Sequence, residues 1–189
     1  MSSSTGRLDP FKAILAIFFT VFLFAGLIML ILWLSLRPHH PKFRIQEFSI
    51  SGLEQSHQTT ALITLNVTVR NPNVRVGISY ESVTGWVYYK GQVIGSTVLL
   101  GPAYQGPKNS MVVYRVLTSS TLNSTQGWTE LANDWAQGPV RFRLELRSSM
   151  QYRKCFWDTK HHHLHPKCDI VVGSDGVMLP SYKNKKCPL

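Results

Sequence analysis

The sequence is short of acid, short of cysteine and short of the motifs that carry catalysis. Its 189 residues include 10 Asp and Glu against 20 Lys and Arg, a formal charge of +10. Charged residues make up 16% of the chain and apolar ones 44%. That balance excludes a disordered polyelectrolyte, which buries too little apolar surface to offset its chain entropy. Three cysteines, Cys155, Cys168 and Cys187, allow one disulfide and leave one thiol over. A Gly-rich phosphate loop, a Ser elbow and a helical His-Glu-x-x-His are all absent, and Cys155 has no accompanying oxyanion motif. The expectation is therefore a protein that is not an enzyme and uses no cofactor.

What is present is unevenly placed. Between Ala13 and Leu34, 20 of 22 residues are apolar, and the 24 residues from Ala13 to Leu36 carry no charge. At about 1.5 Å per residue they span about 36 Å, enough to cross a hydrocarbon core of about 30 Å. The run ends Leu32-Trp33-Leu34-Ser35-Leu36-Arg37-Pro38, which offers no small-residue cleavage site and so reads as an uncleaved anchor. The expected organisation is a cytosolic tail over 1–12, a transmembrane signal-anchor helix over 13–36, a stalk over 37–42 and a folded domain over 43–189. Charge does not orient the helix, because Arg7 and Lys12 flank one end while Arg37, Lys42 and Arg44 flank the other. Two sequons do, Asn66-Val67-Thr68 and Asn123-Ser124-Thr125, together with cysteines confined to the carboxyl part. Asn66 and Asn123 are thus candidate glycosylation sites on a domain outside the cell, with the amino terminus cytosolic and the lipid bilayer as the first partner.

The folded part has a period of two. In Leu62 to Arg70, Ile63, Leu65, Val67 and Val69 share one face, and Thr64, Asn66 and Thr68 the other. In Val140 to Arg147, Val140, Phe142, Leu144 and Leu146 alternate with Arg141, Arg143, Glu145 and Arg147, a greasy side and a basic side. The apolar parity slips between Ile45 and Phe48, predicting a bulge around Gln46 and Glu47. Trp86 to Tyr89 and Gln92 to Leu100 flank Lys90-Gly91 as a hairpin, and Met111 to Leu117 is a further strand. This spacing predicts an antiparallel β-sandwich rather than βαβ units. Trp128, Leu131, Ala132 and Trp135 stand at helical spacing and predict a short helix from Gln126 to Gln137 that seals one end of the sandwich.

His161, His163 and His165 would share a face of an extended strand and are the candidate metal ligands. Their spacing with Cys155 and Cys168 matches no standard zinc pattern, and no resident metal is expected. Cys168 and Cys187 bracket an expected terminal hairpin, Asp169 to Val172 and Val177 to Pro180, and are the disulfide candidates. Cys155 with Cys168 is the alternative pairing.

The membrane-exit run into Pro41-Lys42-Phe43 is followed by Arg70-Asn71-Pro72-Asn73, Gly77-Ile78-Ser79-Tyr80 and Ala103-Tyr104-Gln105-Gly106. Phe156-Trp157-Asp158-Thr159-Lys160 and Gly173-Ser174-Asp175-Gly176 continue the series. In these elements, over nearly its whole length, the chain resembles the plant NHL family, the Non-race-specific disease resistance / Harpin-induced-like proteins, built on a group 2 late-embryogenesis-abundant domain. The resemblance implies a β-sandwich related to fibronectin type III and immunoglobulin domains, a plasma membrane address, and an adaptor or adhesion role in the defence signalling of the hypersensitive response, with immune-signalling membrane proteins as partners. A role in abiotic stress or at plasmodesmata, or a lipid-binding module, is the alternative. Relatives with a lipid anchor carry a hydrophobic carboxyl tail, whereas this chain ends Lys183-Asn184-Lys185-Lys186-Cys187-Pro188-Leu189, so the amino-terminal helix is the expected anchor.

Residues 37–189 hold 18 Lys and Arg against 9 acidic residues. With that excess outside the cell, nucleic acid is not the expected partner. Acidic cell-wall polysaccharide or anionic lipid is, drawn to the face of Arg141, Arg143 and Arg147. Seven histidines would raise the charge from +10 toward +17 in an acidic exterior, which predicts tighter binding of an acidic partner at low pH.

Overall fold

The computed structural model describes residues 10–35, 37–52, 61–119, 125–153 and 159–189. The chain divides into two compact units, Met1–Arg37 and Pro38–Leu189. The first is built on α1, Pro10–Ser35. Phe18, Phe22, Leu27, Ile31 and Trp33 are among its many exposed apolar side chains, so this helix has no polar face to turn toward water. The stretch Pro10–Leu34 is long and apolar enough to cross a membrane. The Thr20 hydroxyl donates to the Ala16 carbonyl at 2.7 Å, which satisfies that hydroxyl within the helix itself.

The second unit is an antiparallel β-sandwich. One sheet has three strands in the order β1–β2–β6, namely Lys42–Ser51, Leu62–Arg70 and Ser110–Thr118. The other has six: β3 (Gly77–Tyr89), β4 (Gln92–Leu100), β5 (Ala103–Gln105), β7 (Val140–Arg153), β8 (His162–Leu164) and β9 (Lys167–Val172). β3 and β7 form its centre, with β4 and β5 along the outer edge of β3 and β8 and β9 along that of β7. Side chains alternate as a half-buried sheet requires: Ile63, Leu65, Val67 and Val69 meet Phe142, Leu144 and Leu146 within one core.

Two irregularities explain the sequence pattern. A register shift between Ile45 and Glu47 brings both Phe43 with Ile45 and Phe48 with Ile50 into the core, the expected bulge. A second shift between Tyr80 and Ser82 divides β3. It changes the apolar parity midway, so only the half after it reads as a strand from sequence, whereas β3 in fact begins at Gly77. Lys90 and Gly91, at φ 44° and 85°, make the tight turn into β4.

At the end of the sandwich where the chain enters, residues 38–41 are bonded to the folded unit. The His39 amide donates to Asn73 Oδ1 at 2.7 Å, Asn73 Nδ2 returns to the His39 carbonyl at 2.8 Å, and Pro41 is buried. At the far end lies α2, Thr125–Gln137. Leu131 is buried there, and Trp128 and Trp135 pack against the core. The tryptophan stripe is thus spent on sealing the sandwich.

The carboxyl segment laces the two sheets together. Gly176 accepts from the Ile50 amide at 2.9 Å, Met178 donates to the Phe48 carbonyl at 2.9 Å, and Cys187 donates to that of Phe43 at 3.0 Å, while Leu179 donates to Val171 of β9 at 2.9 Å. The expected terminal hairpin forms as a short one: the Gly173 amide donates to the Val177 carbonyl at 2.9 Å and Met178 bridges to Val172, while the other edge of the returning segment bridges from Val177 to Ser49 of β1.

Candidate functional site

The alternation of β7 sets the most highly functionalised surface, the outer face of the six-stranded sheet. Arg141, Arg143 and Arg147 point away from the core into solvent. Pairing with β9 places Arg143 opposite Asp169, and its Nε donates to Asp169 Oδ1 at 2.9 Å; that bond holds the guanidinium pKa above its ordinary value. The next cross-strand pair on this face is again ionic, Lys167 Nζ to Glu145 Oε1 at 3.4 Å. Arg147 lies over the Trp86 ring at 5.1 Å, and Lys185 over Tyr182 at 5.1 Å. A cavity of about 540 Å³ opens beside Tyr88, Arg141, Arg143, Tyr182 and Lys185. A second of about 290 Å³ opens beside Trp86, Arg147, His163 and His165. Trp86 and Tyr88 escaped the sequence reading, although their outward parity in β3 is the signal that marks them.

The histidines do not assemble into a metal centre among the described residues. His163 is in β8 opposite Ser149. His161 is already engaged: Nε2 meets Gln151 Nε2 at 2.7 Å and Nδ1 lies 3.5 Å from Glu81 Oε2. His165 lies beyond the end of β8 and shares the smaller cavity with His163. The structure brings together a different set, distant in sequence. His40 Nδ1 is 2.9 Å from the Tyr152 hydroxyl, and His162 packs edge-on against the same ring at 5.1 Å between centroids. Burial pushes the Tyr152 pKa up to about 12, so its hydroxyl stays protonated and able to donate.

Cys168 and Cys187 are joined by a disulfide, their Cα atoms 4.7 Å apart. The bond closes the carboxyl segment over β9 and constrains the unfolded chain by roughly 3 kcal/mol for a loop of this order. Asn66 is on the outer face of β2, directly opposite Tyr114 of β6. Cys155, Asp158 and the second sequon residue, Asn123, lie outside the described residues.

Asn71-Pro72-Asn73 turns the chain after β2 at a corner built on two buried asparagines. Asn71 Nδ2 donates to the carbonyls of Val76 at 2.9 Å and Gly106 at 3.0 Å, and its Oδ1 accepts from the Asn73 amide at 3.0 Å. Gln105 extends the network by donating to Val69 and accepting from Tyr80, at 2.8 and 2.9 Å.

The family model described as Late embryogenesis abundant protein matches residues 66–168, just over half of the chain. Arabidopsis thaliana relatives align more widely. NDR1/HIN1-like protein 10 is 30% identical over 82% of this chain and 67% of its own length. NDR1/HIN1-like protein 2 is 33% identical over 77% and 63%, and Protein NDR1 is 31% identical over 81% and 72%. None of these names denotes an enzyme. The matched region holds the Asn71–Asn73 corner and the central strands β3 and β7 that it helps to fix, and the chain belongs to the late embryogenesis abundant family, among its NDR1/HIN1-like proteins.

Proposed function

We propose that the chain is a single-pass plasma membrane protein, held by α1 with its amino terminus in the cytosol and its β-sandwich outside the cell. There it serves, without catalysis, as an adaptor or adhesion component of plant defence signalling. The observation that carries the reading is the junction at Arg37 and Pro38, where a helix of membrane-spanning length, charged only at Lys12 near its start, gives way to a separately folded unit. Family membership supports the defence setting. A lipid-carrying role within the sandwich is disfavoured, because Phe43, Phe48, Leu65, Leu144 and Tyr80 already fill the space between the sheets.

Glycosidase digestion of the membrane fraction tests the orientation. A mobility shift that disappears when Asn66 and Asn123 are replaced together is the expected result. Protease treatment of sealed membranes is the companion measurement, and a large domain degraded from the cytosolic side would overturn the orientation. Co-purification with immune-signalling membrane proteins is the expected outcome for the adaptor role.

A further inference from the structure

Several features of the outer face of the six-stranded sheet go beyond those of a solvated basic surface. Cations stand over aromatic rings, Arg147 on Trp86 and Lys185 on Tyr182, each at 5.1 Å. Trp86 and Tyr88 face outward in series along β3, beside the Arg141 to Arg147 row of β7. The two cavities, about 540 and 290 Å³, open on this one face. The indole Nε1 of Trp86 is buried with no hydrogen-bond partner, an unspent donor beside the smaller cavity.

We infer that this face binds a linear acidic polysaccharide of the polyuronate class. A uronate ring has an apolar C–H face, a carboxylate and hydroxyls. The surface supplies a matching group for each: the Tyr88 ring, which lines the larger cavity, for the C–H faces, Arg147 seated on Trp86, Arg141 and Lys185 for the carboxylates, and the ion-paired Glu145 and Asp169 as acceptors for the hydroxyls. Arg141 and Arg147 are six residues apart on one strand, about 20 Å at about 3.3 Å per residue, which is the reach of several sugars rather than of one small anion.

The same details argue against other polyanions. Glu145 and Asp169 stand among the cations and would repel the dense phosphates of a nucleic acid. Trp86 is half-buried beneath Arg147 instead of projecting, so it is not placed to enter a lipid surface. The inference rests on the reading that the sandwich lies outside the cell. The two fail separately, since the membrane digests report orientation without this ligand and a titration reports the ligand without orientation.

The test is titration of the full chain in detergent micelles with an oligogalacturonate of defined length, beside its fully methyl-esterified counterpart and phosphatidylserine vesicles. Saturable binding of the acidic oligomer is expected, weakened about tenfold or more by esterification and by Trp86→Ala. Arg147→Gln, a change at a solvent-facing position, should weaken it to a similar degree, and Arg75→Ala, outside the face, should leave it unchanged. Equal binding of the ester, absence of saturable binding, or equal loss in Arg75→Ala would overturn the inference. So would vesicle binding with the same sensitivity to Trp86→Ala and Arg147→Gln, which would make lipid the partner.

Discussion

The two ends of the sandwich are closed by opposite chemistry. At the entry end the closing groups are neutral amides: Asn71 and Gln105 are 0% exposed, and the side-chain amide of each donates to backbone carbonyls from separate stretches of chain. At the far end they are charged and wet. Lys90 Nζ reaches Glu130 at 2.7 Å and Asp134 at 2.8 Å on the exposed side of α2, and the Tyr89 hydroxyl donates to Asp134 at 2.7 Å. The hydrogen bond to Asp134, then that to Glu130, holds the Lys90 ammonium above its ordinary pKa. The difference lies in what replaces a lost partner. Water takes over from an exposed ion at little cost, whereas a buried carbonyl deprived of its amide stays unsatisfied. The entry corner should therefore set the stability of the fold, while the charges at the far end only adjust the seating of α2.

The largest expected effect follows from Asn71→Ala. It removes the side-chain donor to the carbonyls of Val76 and Gly106, the latter left with only the 3.4 Å bond from the Asn109 amide, and the acceptor of the Asn73 amide, so about 3 kcal/mol should be lost in chemical denaturation. A loss under about 1 kcal/mol would put the corner on the footing of a surface ion pair and break the comparison. Leu131→Ala comes next. Leu131 is 1% exposed, so its truncation should cost about 3 kcal/mol, from the apolar grip of α2 and not from its charges. If Leu131→Ala proved neutral while removal of the Lys90 charge did not, the far end would depend on its ions after all.

Much of this was legible from parity. The inner and outer faces of β2 and β7, and the bulge between Ile45 and Glu47, follow from apolar residues two apart and from the slip in their phase. What parity cannot show is partnership across the chain. The corner at Asn71 shows in sequence only as a turn because its partners at 105 and 106 and, through Asn73, at 39 lie 34 or 35 residues away. For the same reason Arg147 was visible as a cation but not as the cover of Trp86, a contact made only by the β3–β7 pairing. The first half of β3 was hidden by a different cause, the bulge at Glu81 that resets its alternation.

Acid should separate the two ends with the smallest and most diagnostic effect. The bond from Lys90, then that from Tyr89, holds the Asp134 carboxyl below its ordinary value of 3.8. A group depressed in the folded state contributes stability above its unfolded pKa and surrenders it as pH falls through the folded one, so the contribution is present at neutral pH and starts to be lost below about pH 4. Tyr89, pushed up to about 12 chiefly by burial, stays protonated through that window, and burial likewise holds Tyr80 above its ordinary pKa at the entry corner. Asn71, Asn73 and Gln105 have no proton to exchange there. Denaturation of Asp134→Asn should therefore show a slight deficit at pH 7 that shrinks as the medium is made more acid than about pH 4, while the deficit of Asn71→Ala persists undiminished. An Asp134→Asn deficit as large in acid as at neutrality would mean that this carboxylate acts by packing rather than charge, and the contrast between the two ends would lose its electrostatic half.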